Sequence, residues 1–293
     1  MRTEQEMLEL ILGFAEREDR IRAVYLNGSR ANPGAPRDIF QDFDVVYVVT
    51  ETEPYILDKA WLKAFGELVV MQEPDINVLY ASEPTDPKTR YAYLMQFMDG
   101  NRIDLTLQTV EASIEECKKE KLTLLLLDKE GVLPRLSAPS DEDYHVKRPS
   151  RIGFDHCCNE FWWVSPYVAK GLWRGELLYA MDHLNLYVRP MLLMMLSWYA
   201  GILTDFSLSV GKNGKYLDKF LPDKLWKKLL MTYPPAEPEK LWDALMGMGE
   251  LFRETAVFVG EAMGYEYDFG QDHRTMEFVK DIQKLPKDAS EIR

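Results

Sequence analysis

The sequence predicts an α+β chain in which an N-terminal mixed β-sheet domain with flanking helices is followed by a C-terminal α-helical bundle. Three observations carry that reading. Short β-prone runs alternate with helical stretches through the first half, a proline-rich acidic segment interrupts the middle, and the longer apolar patterns beyond it have helical spacing. A length of 293 residues suits two domains of ordinary size, and 46% hydrophobic side chains are enough to offset chain entropy.

The elements follow in order. From Thr3 to Arg17, apolar Met7, Leu8, Ile11, Leu12, Phe14 and Ala15 recur at helical spacing between charged residues, which predicts an opening amphipathic helix. Ile21 to Asn27 is a β-prone run ending in Gly28-Ser29, and Val45 to Thr50 is a denser one, so both are expected as buried strands. A helix is expected over Ile56 to Phe65, then strands at Leu68 to Met71, Ile76 to Tyr80, Tyr91 to Met98 and Arg102 to Thr109. Asp99-Gly100-Asn101 between the last two is a turn with the glycine that a tight hairpin requires, so they should pair antiparallel. A polar helix near Val110 to Lys121 and a strand or short buried helix at Leu122 to Leu127 complete the unit.

Pro134 to Pro149 reads as an exposed linker, which gives a first domain over 1–138, a linker over 139–149 and a helical domain over 150–293. Helices are expected at Arg151 to Trp173, Glu176 to Gly201 with a kink at Pro190, Pro222 to Thr232, Glu237 to Ala262 and Thr275 to Ile282.

A formal charge of -13 with no long basic run disfavours a protein that neutralises many phosphates of a nucleic acid, and accommodates a cationic partner. The excess of acidic side chains lies mostly in the first half. Cys117 alone and the adjacent Cys157-Cys158 give neither a disulfide framework nor a metal spacing, so reduced thiols are expected. The N-terminus has no apolar h-region, and a cytoplasmic location without membrane attachment is expected. Tyr187 to Ile202, the longest apolar stretch, contains Arg189 and Pro190 and is short of the ~20 residues that span a bilayer, so it reads as a buried core helix.

The chemistry concentrates in three places. Gly28-Ser29 directly follows a strand, where a glycine lets the backbone turn tightly toward a phosphate and the hydroxyl adds a donor. Gln41-Asp42-Phe43-Asp44 enters the next strand, and residues two apart in a strand share a face, so two carboxylates emerge side by side. Like charges this close repel unless a cation sits between them, and Mg²⁺ favours one or two carboxylates plus phosphate oxygens. Asp104 stands between Ile103 and Leu105, sharing its face with Arg102 and Thr106.

Gly28-Ser29, Asp42-Phe43-Asp44 and Ile103-Asp104-Leu105, in this order, resemble the DNA polymerase β-like nucleotidyltransferase superfamily. Asn27-Gly28-Ser29-Arg30, the run Asp38 to Asp44, the run Asp99 to Leu107 and Leu126-Leu127-Asp128-Lys129 narrow the resemblance to the aminoglycoside 6-adenylyltransferases. Lys147-Arg148-Pro149, the run Cys157 to Trp162, Asp182-His183-Leu184-Asn185 and Gly211-Lys212-Asn213-Gly214-Lys215 extend it over nearly the whole chain.

That resemblance implies an enzyme transferring AMP from ATP to a hydroxyl of streptomycin, the 6-hydroxyl, with release of pyrophosphate. It implies a site in which Asp42, Asp44 and Asp104 are catalytic and bind Mg²⁺, as two ions. Asp104 serves as ligand or as general base, since both require a carboxylate within reach of the nucleophile. Gly28, Ser29 and Arg30 would contact the nucleotide, and Lys212 or Lys215 would offset phosphate charge. Glu160 and Asp182 are the candidates to pair with the guanidinium groups of the drug. Two other readings stay open: a nucleotidyltransferase with another small-molecule or protein acceptor, and a non-catalytic nucleotide-sensing module.

Overall fold

A computed structural model describes residues 1–77, 79 and 86–292, and the chain divides into two compact units, Met1–Asp143 and Tyr144–Arg293. The first unit opens with α1 (Glu4–Arg17). A capping box starts it: the Glu6 amide donates to Thr3 Oγ1 while the Thr3 amide donates to the Glu6 carboxylate. Its predicted apolar stripe buries Met7, Ile11 and Ala15.

β1 (Ile21–Leu26) leads into a single helical turn, α2 (Gly28–Ala31), and then β2 (Phe43–Val49) and α3 (Glu53–Leu57). The helix expected over Ile56 to Phe65 is instead interrupted at Asp58, whose carboxylate accepts from the Ala60 amide at 2.9 Å and starts a separate 3₁₀ stretch, Lys59–Phe65. β3 (Leu68–Gln72) follows. Of the strand expected over Ile76 to Tyr80, Val78 and Tyr80 lie outside the described residues, and Ile76 closes a 3₁₀ turn begun at Pro74.

β4 (Arg90–Phe97) and β5 (Arg102–Thr109) form the predicted antiparallel hairpin, with Gly100 at φ +90° in its turn. α4 (Val110–Cys117) ends earlier than expected, because Lys118 to Lys121 are all charged and give a further turn nothing to bury. β6 (Leu124–Asp128) resolves the last ambiguity of this unit as a strand.

Among the described residues the sheet has six strands, in the order β3-β4-β5-β2-β1-β6. Of these described strands only β2 and β5 run parallel; every other neighbouring pair is antiparallel. One face carries the main core, with Phe43, Val45 and Tyr47 of β2 and Ile103, Leu105 and Leu107 of β5 packed with residues of α1 and the 3₁₀ stretch. The other face carries a smaller cluster of Ala23, Tyr25, Val46, Val48 and Leu133. Strand alternation sends Asp44 and Asp104 to this second face.

The second unit is helical. α5 (Arg151–Arg174) is capped by Ser150, whose hydroxyl accepts from the Gly153 amide, and ends at Gly175 in the left-handed conformation. α6 (Leu177–His183) and α7 (Arg189–Leu203) are joined by a π-helical turn, Leu184–Val188. Where a kink was expected at Pro190, the chain has this π-helical turn just upstream of the proline. Proline offers no amide hydrogen to the preceding turn, and the wider π turn accommodates the missing bond.

α8 (Leu217–Phe220), α9 (Asp223–Met231), α10 (Pro238–Met263) and α11 (Phe269–Lys284) complete the unit. Phe161 of α5 stacks on Phe252 of α10 at 3.8 Å, and Trp162, Leu192, Leu196, Met248 and Val279 close the core around them. The continuous stretch Leu177–Leu203 is long and apolar enough by composition to cross a membrane, and 44% of its most apolar window is buried inside this unit.

Candidate active site

The first unit brings Gly28, Ser29, Arg30, Asp42, Asp44 and Asp104 together. β2 and β5 pair in parallel with Asp44 directly opposite Asp104, so two carboxylates from distant parts of the sequence share one face of the sheet. Asp42 precedes β2 by one residue and is two residues from Asp44. The turn after β1 is tied to the same place: the Asn27 amide donates to the Asp44 carbonyl at 3.0 Å.

Gly28 has φ +66°, and a Cβ placed on it would come within 2.1 Å of Asp44 Oδ2. The glycine is therefore required twice, for its backbone conformation and for the space its missing side chain leaves to the carboxylate. Ser29 follows, with its Oγ accepting from Gln41 Nε2 at 3.1 Å. A hydroxyl that accepts from an amide keeps its own hydrogen for another acceptor.

Asp44 is half-buried, and among the described residues it accepts no hydrogen bond from a side chain and forms no ion pair. Burial first, then the negative charges of Asp104 and Asp42, push its carboxyl up to about 6. Burial also raises Asp42, against the lowering influence of Arg102.

Asp104 is held differently. Arg102, two residues earlier on the same face, donates from Nε to Oδ1 at 2.7 Å and from Nη2 to Oδ2 at 2.8 Å. The same guanidinium lies 3.7 Å from Asp42 Oδ2. Arg102 is the residue that the sequence reading left out of the site. Its signal was available, since an arginine two positions from a carboxylate on a strand shares its face.

Arg30, expected at the nucleotide, is 8% exposed and already occupied. Its Nε donates to the Asp42 carbonyl at 3.0 Å and its Nη2 to the Gln41 carbonyl at 2.7 Å. Its guanidinium lies 3.6 Å over the Phe43 ring and 3.3 Å from the Glu4 carboxylate. These contacts make it a strut between the Gly28-Ser29 turn and the segment that carries Asp42 and Asp44.

The remaining candidates belong to the second unit. Lys212 lies in a 3₁₀ turn, Lys212–Gly214, and is exposed, as is Lys215, whose Nζ stands 5.0 Å from the Tyr216 ring. Glu160 on α5 and Asp182 on α6 are exposed too. His183, given no chemical role in the sequence reading, sits among Tyr167, Tyr179 and Tyr187, with ring centroids 5.7, 4.0 and 5.2 Å away.

Among the described residues no three His, Cys, Asp or Glu side chains already converge on a common point as metal ligands. The donor set nevertheless fits a hard divalent cation. Among the described residues Asp44 offers carboxylate oxygens without a side-chain partner, the missing side chain of Gly28 leaves that carboxylate its place beside the turn, and the like charges of Asp42 and Asp104 adjoin it.

A mixed sheet that sets a Gly-Ser turn against an Asp-x-Asp strand, with a third aspartate in register on its parallel neighbour, defines a nucleotidyltransferase. The chain belongs to the streptomycin adenylyltransferase family, whose model matches residues 1–282. It is similar to an aminoglycoside 6-adenylyltransferase of Bacillus subtilis (strain 168), 41% identical over 91% of this chain and 93% of that protein. One from Campylobacter jejuni is 40% identical over 91% of each chain. A crystal structure of an aminoglycoside 6-adenyltransferase from Bacillus subtilis is 35% identical, covering 97% of this chain and all of that one, with a TM-score of 0.49.

Proposed function

We propose that this nucleotidyltransferase moves AMP from ATP to a hydroxyl of an aminoglycoside, the 6-hydroxyl of streptomycin, releasing pyrophosphate. The observation that carries the reading is the Gly28, Asp44 and Asp104 arrangement, found in a chain whose relatives are named for aminoglycoside 6-adenylylation.

Asp42, Asp44 and Asp104 would hold Mg²⁺, which when bound offsets charge on the attacking and leaving oxygens. The protein's own groups do the rest. The Ser29 hydroxyl and the backbone of the Gly28 turn donate to phosphate oxygens, in an orientation set by the Gln41 amide. Asp104 accepts the proton of the acceptor hydroxyl as that oxygen bonds to the α-phosphorus. The bond from the α-phosphorus to the bridging oxygen breaks, and pyrophosphate departs with its electron pair.

The exposed Lys212 and Lys215 would offset phosphate charge, and Glu160 and Asp182 would pair with guanidinium groups of the drug. Domain limits of 1–138 and 150–293 fit a nucleotide-binding part and an acceptor-binding part. Incubation with labelled ATP, Mg²⁺ and a panel of aminoglycosides tests the reading. Label on streptomycin supports it, and label on another acceptor with streptomycin unmodified refutes the choice of drug.

A further inference from the structure

The reading of Asp42, Asp44 and Asp104 as cation ligands leaves Arg102 unexplained, and the inference drawn here rests on that reading. The three carboxylates are unequal. Asp44 has no direct partner among the described residues, Asp42 lies 3.7 Å from one guanidinium nitrogen, and Asp104 has both oxygens taken by the same guanidinium.

We propose that Arg102 competes with the divalent cation for Asp104, so that the cluster takes up its ion only as the guanidinium lets go. An arginine cannot give up its charge at any working pH, so the only way to free Asp104 is to rotate the side chain away. The Arg102 side chain is 39% exposed, which leaves it a solvated path outward. A partly exposed ion pair is worth little, whereas a doubly charged ion facing several carboxylates gains more. The exchange is therefore downhill but lowers the net affinity for the ion. Asp44 would be the first ligand to engage, because nothing need leave it.

Mn²⁺ alone, added to the full-length protein without nucleotide and followed by electron paramagnetic resonance of the free ion, tests this. Arg102→Gln is expected to bind Mn²⁺ about tenfold more tightly than the wild type. Arg22→Gln, which removes the same charge from the Glu130 pair elsewhere in the unit, should leave the affinity unchanged. In an Asp104→Asn background the gain from Arg102→Gln should vanish. If Arg102→Gln does not fold, Arg102→Lys, which keeps the charge but loses the two-pronged grip, should tighten binding by a few fold. Equal affinities in wild type and both Arg102 variants, or a gain that persists without Asp104, overturn the proposal. No binding by any of these proteins overturns the ligand reading itself, and this proposal with it.

Discussion

Gly28 and Asp44 are built around each other: the Asp44 carboxylate occupies the space where any other residue at position 28 would carry its Cβ, 2.1 Å from Oδ2. The Gly-Ser turn and the Asp-x-Asp strand are therefore one steric unit. Gly28→Ala should lower adenylyl transfer by about a hundredfold, since displacement of a reacting group by an ångström has that scale of effect. It should also cost about 1–2 kcal/mol of stability for a left-handed conformation at a residue with a side chain. Steady-state rates and urea unfolding of the same preparation check both; near-wild-type turnover would refute the coupling.

Arg30 predicts a different pattern. Arg30→Ala strips the Gln41 and Asp42 carbonyls of their donor and removes a guanidinium from the Phe43 ring, so stability should fall by roughly 2–3 kcal/mol. Arg30→Lys should recover only part of this, because an ammonium cannot serve two carbonyls in one plane while stacking. Denaturant midpoints decide. A phosphate-binding Arg30 would instead leave stability unchanged and raise KM for ATP.

Asp99 anchors the N-terminus to the β4–β5 turn. Its Oδ2 accepts from the Arg2 amide and Arg2 Nε at 3.1 and 2.7 Å, and from Asn101 Nδ2 at 2.9 Å. The Arg2 guanidinium first, then Asn101, holds its carboxyl well below the usual range. A depressed carboxylate stabilises the fold above its unfolded value, ~3.9, and that contribution fades as the pH falls toward the folded value. Thermal unfolding from pH 7 down to pH 2 should show Asp99→Asn less stable than wild type near neutrality, with the gap narrowing below about pH 4. A gap that widens on acidification would contradict the assignment.

In the second unit, Asp272 is fully buried and accepts from Arg253 Nε and Nη2 at 2.5 and 2.6 Å and from Tyr267 OH at 2.8 Å. Trp162 Nε1 donates to the same tyrosine oxygen at 3.1 Å. Asp272→Ala leaves the arginine and the phenol without their acceptor, and should cost about 3 kcal/mol or more. Calorimetry would register the loss as a lowered transition temperature; an unchanged transition would refute the role.

What was legible in the sequence follows from what local pattern encodes. Apolar periodicity located α1, the β4–β5 hairpin and the long helices of the second unit, because burial imposes its period on the chain. Asp42, Asp44 and Asp104 were legible as a set because their strands were. The parallel pairing that puts Asp44 opposite Asp104 was not, since register between distant strands leaves no mark on either one. The packing of Arg30 was not legible for a related reason. A basic residue beside a Gly-Ser turn reads as a phosphate ligand, and nothing local announces the Phe43 ring and the two carbonyls it serves. The break at Asp58 was missed because a capping aspartate inside an apolar pattern looks like one polar position of a continuous helix.

In the proposed function, the carboxylates facing the Gly28 turn drive adenylyl transfer to an aminoglycoside. Mass spectrometry of streptomycin after incubation with the enzyme, ATP and Mg²⁺, beside an Asp44→Asn variant shown to be folded, tests it most directly. The expected result is a drug heavier by one AMP, modified at the 6-hydroxyl, with stoichiometric pyrophosphate, and no product from the variant. Unmodified streptomycin, or equal product from Asp44→Asn, would contradict it.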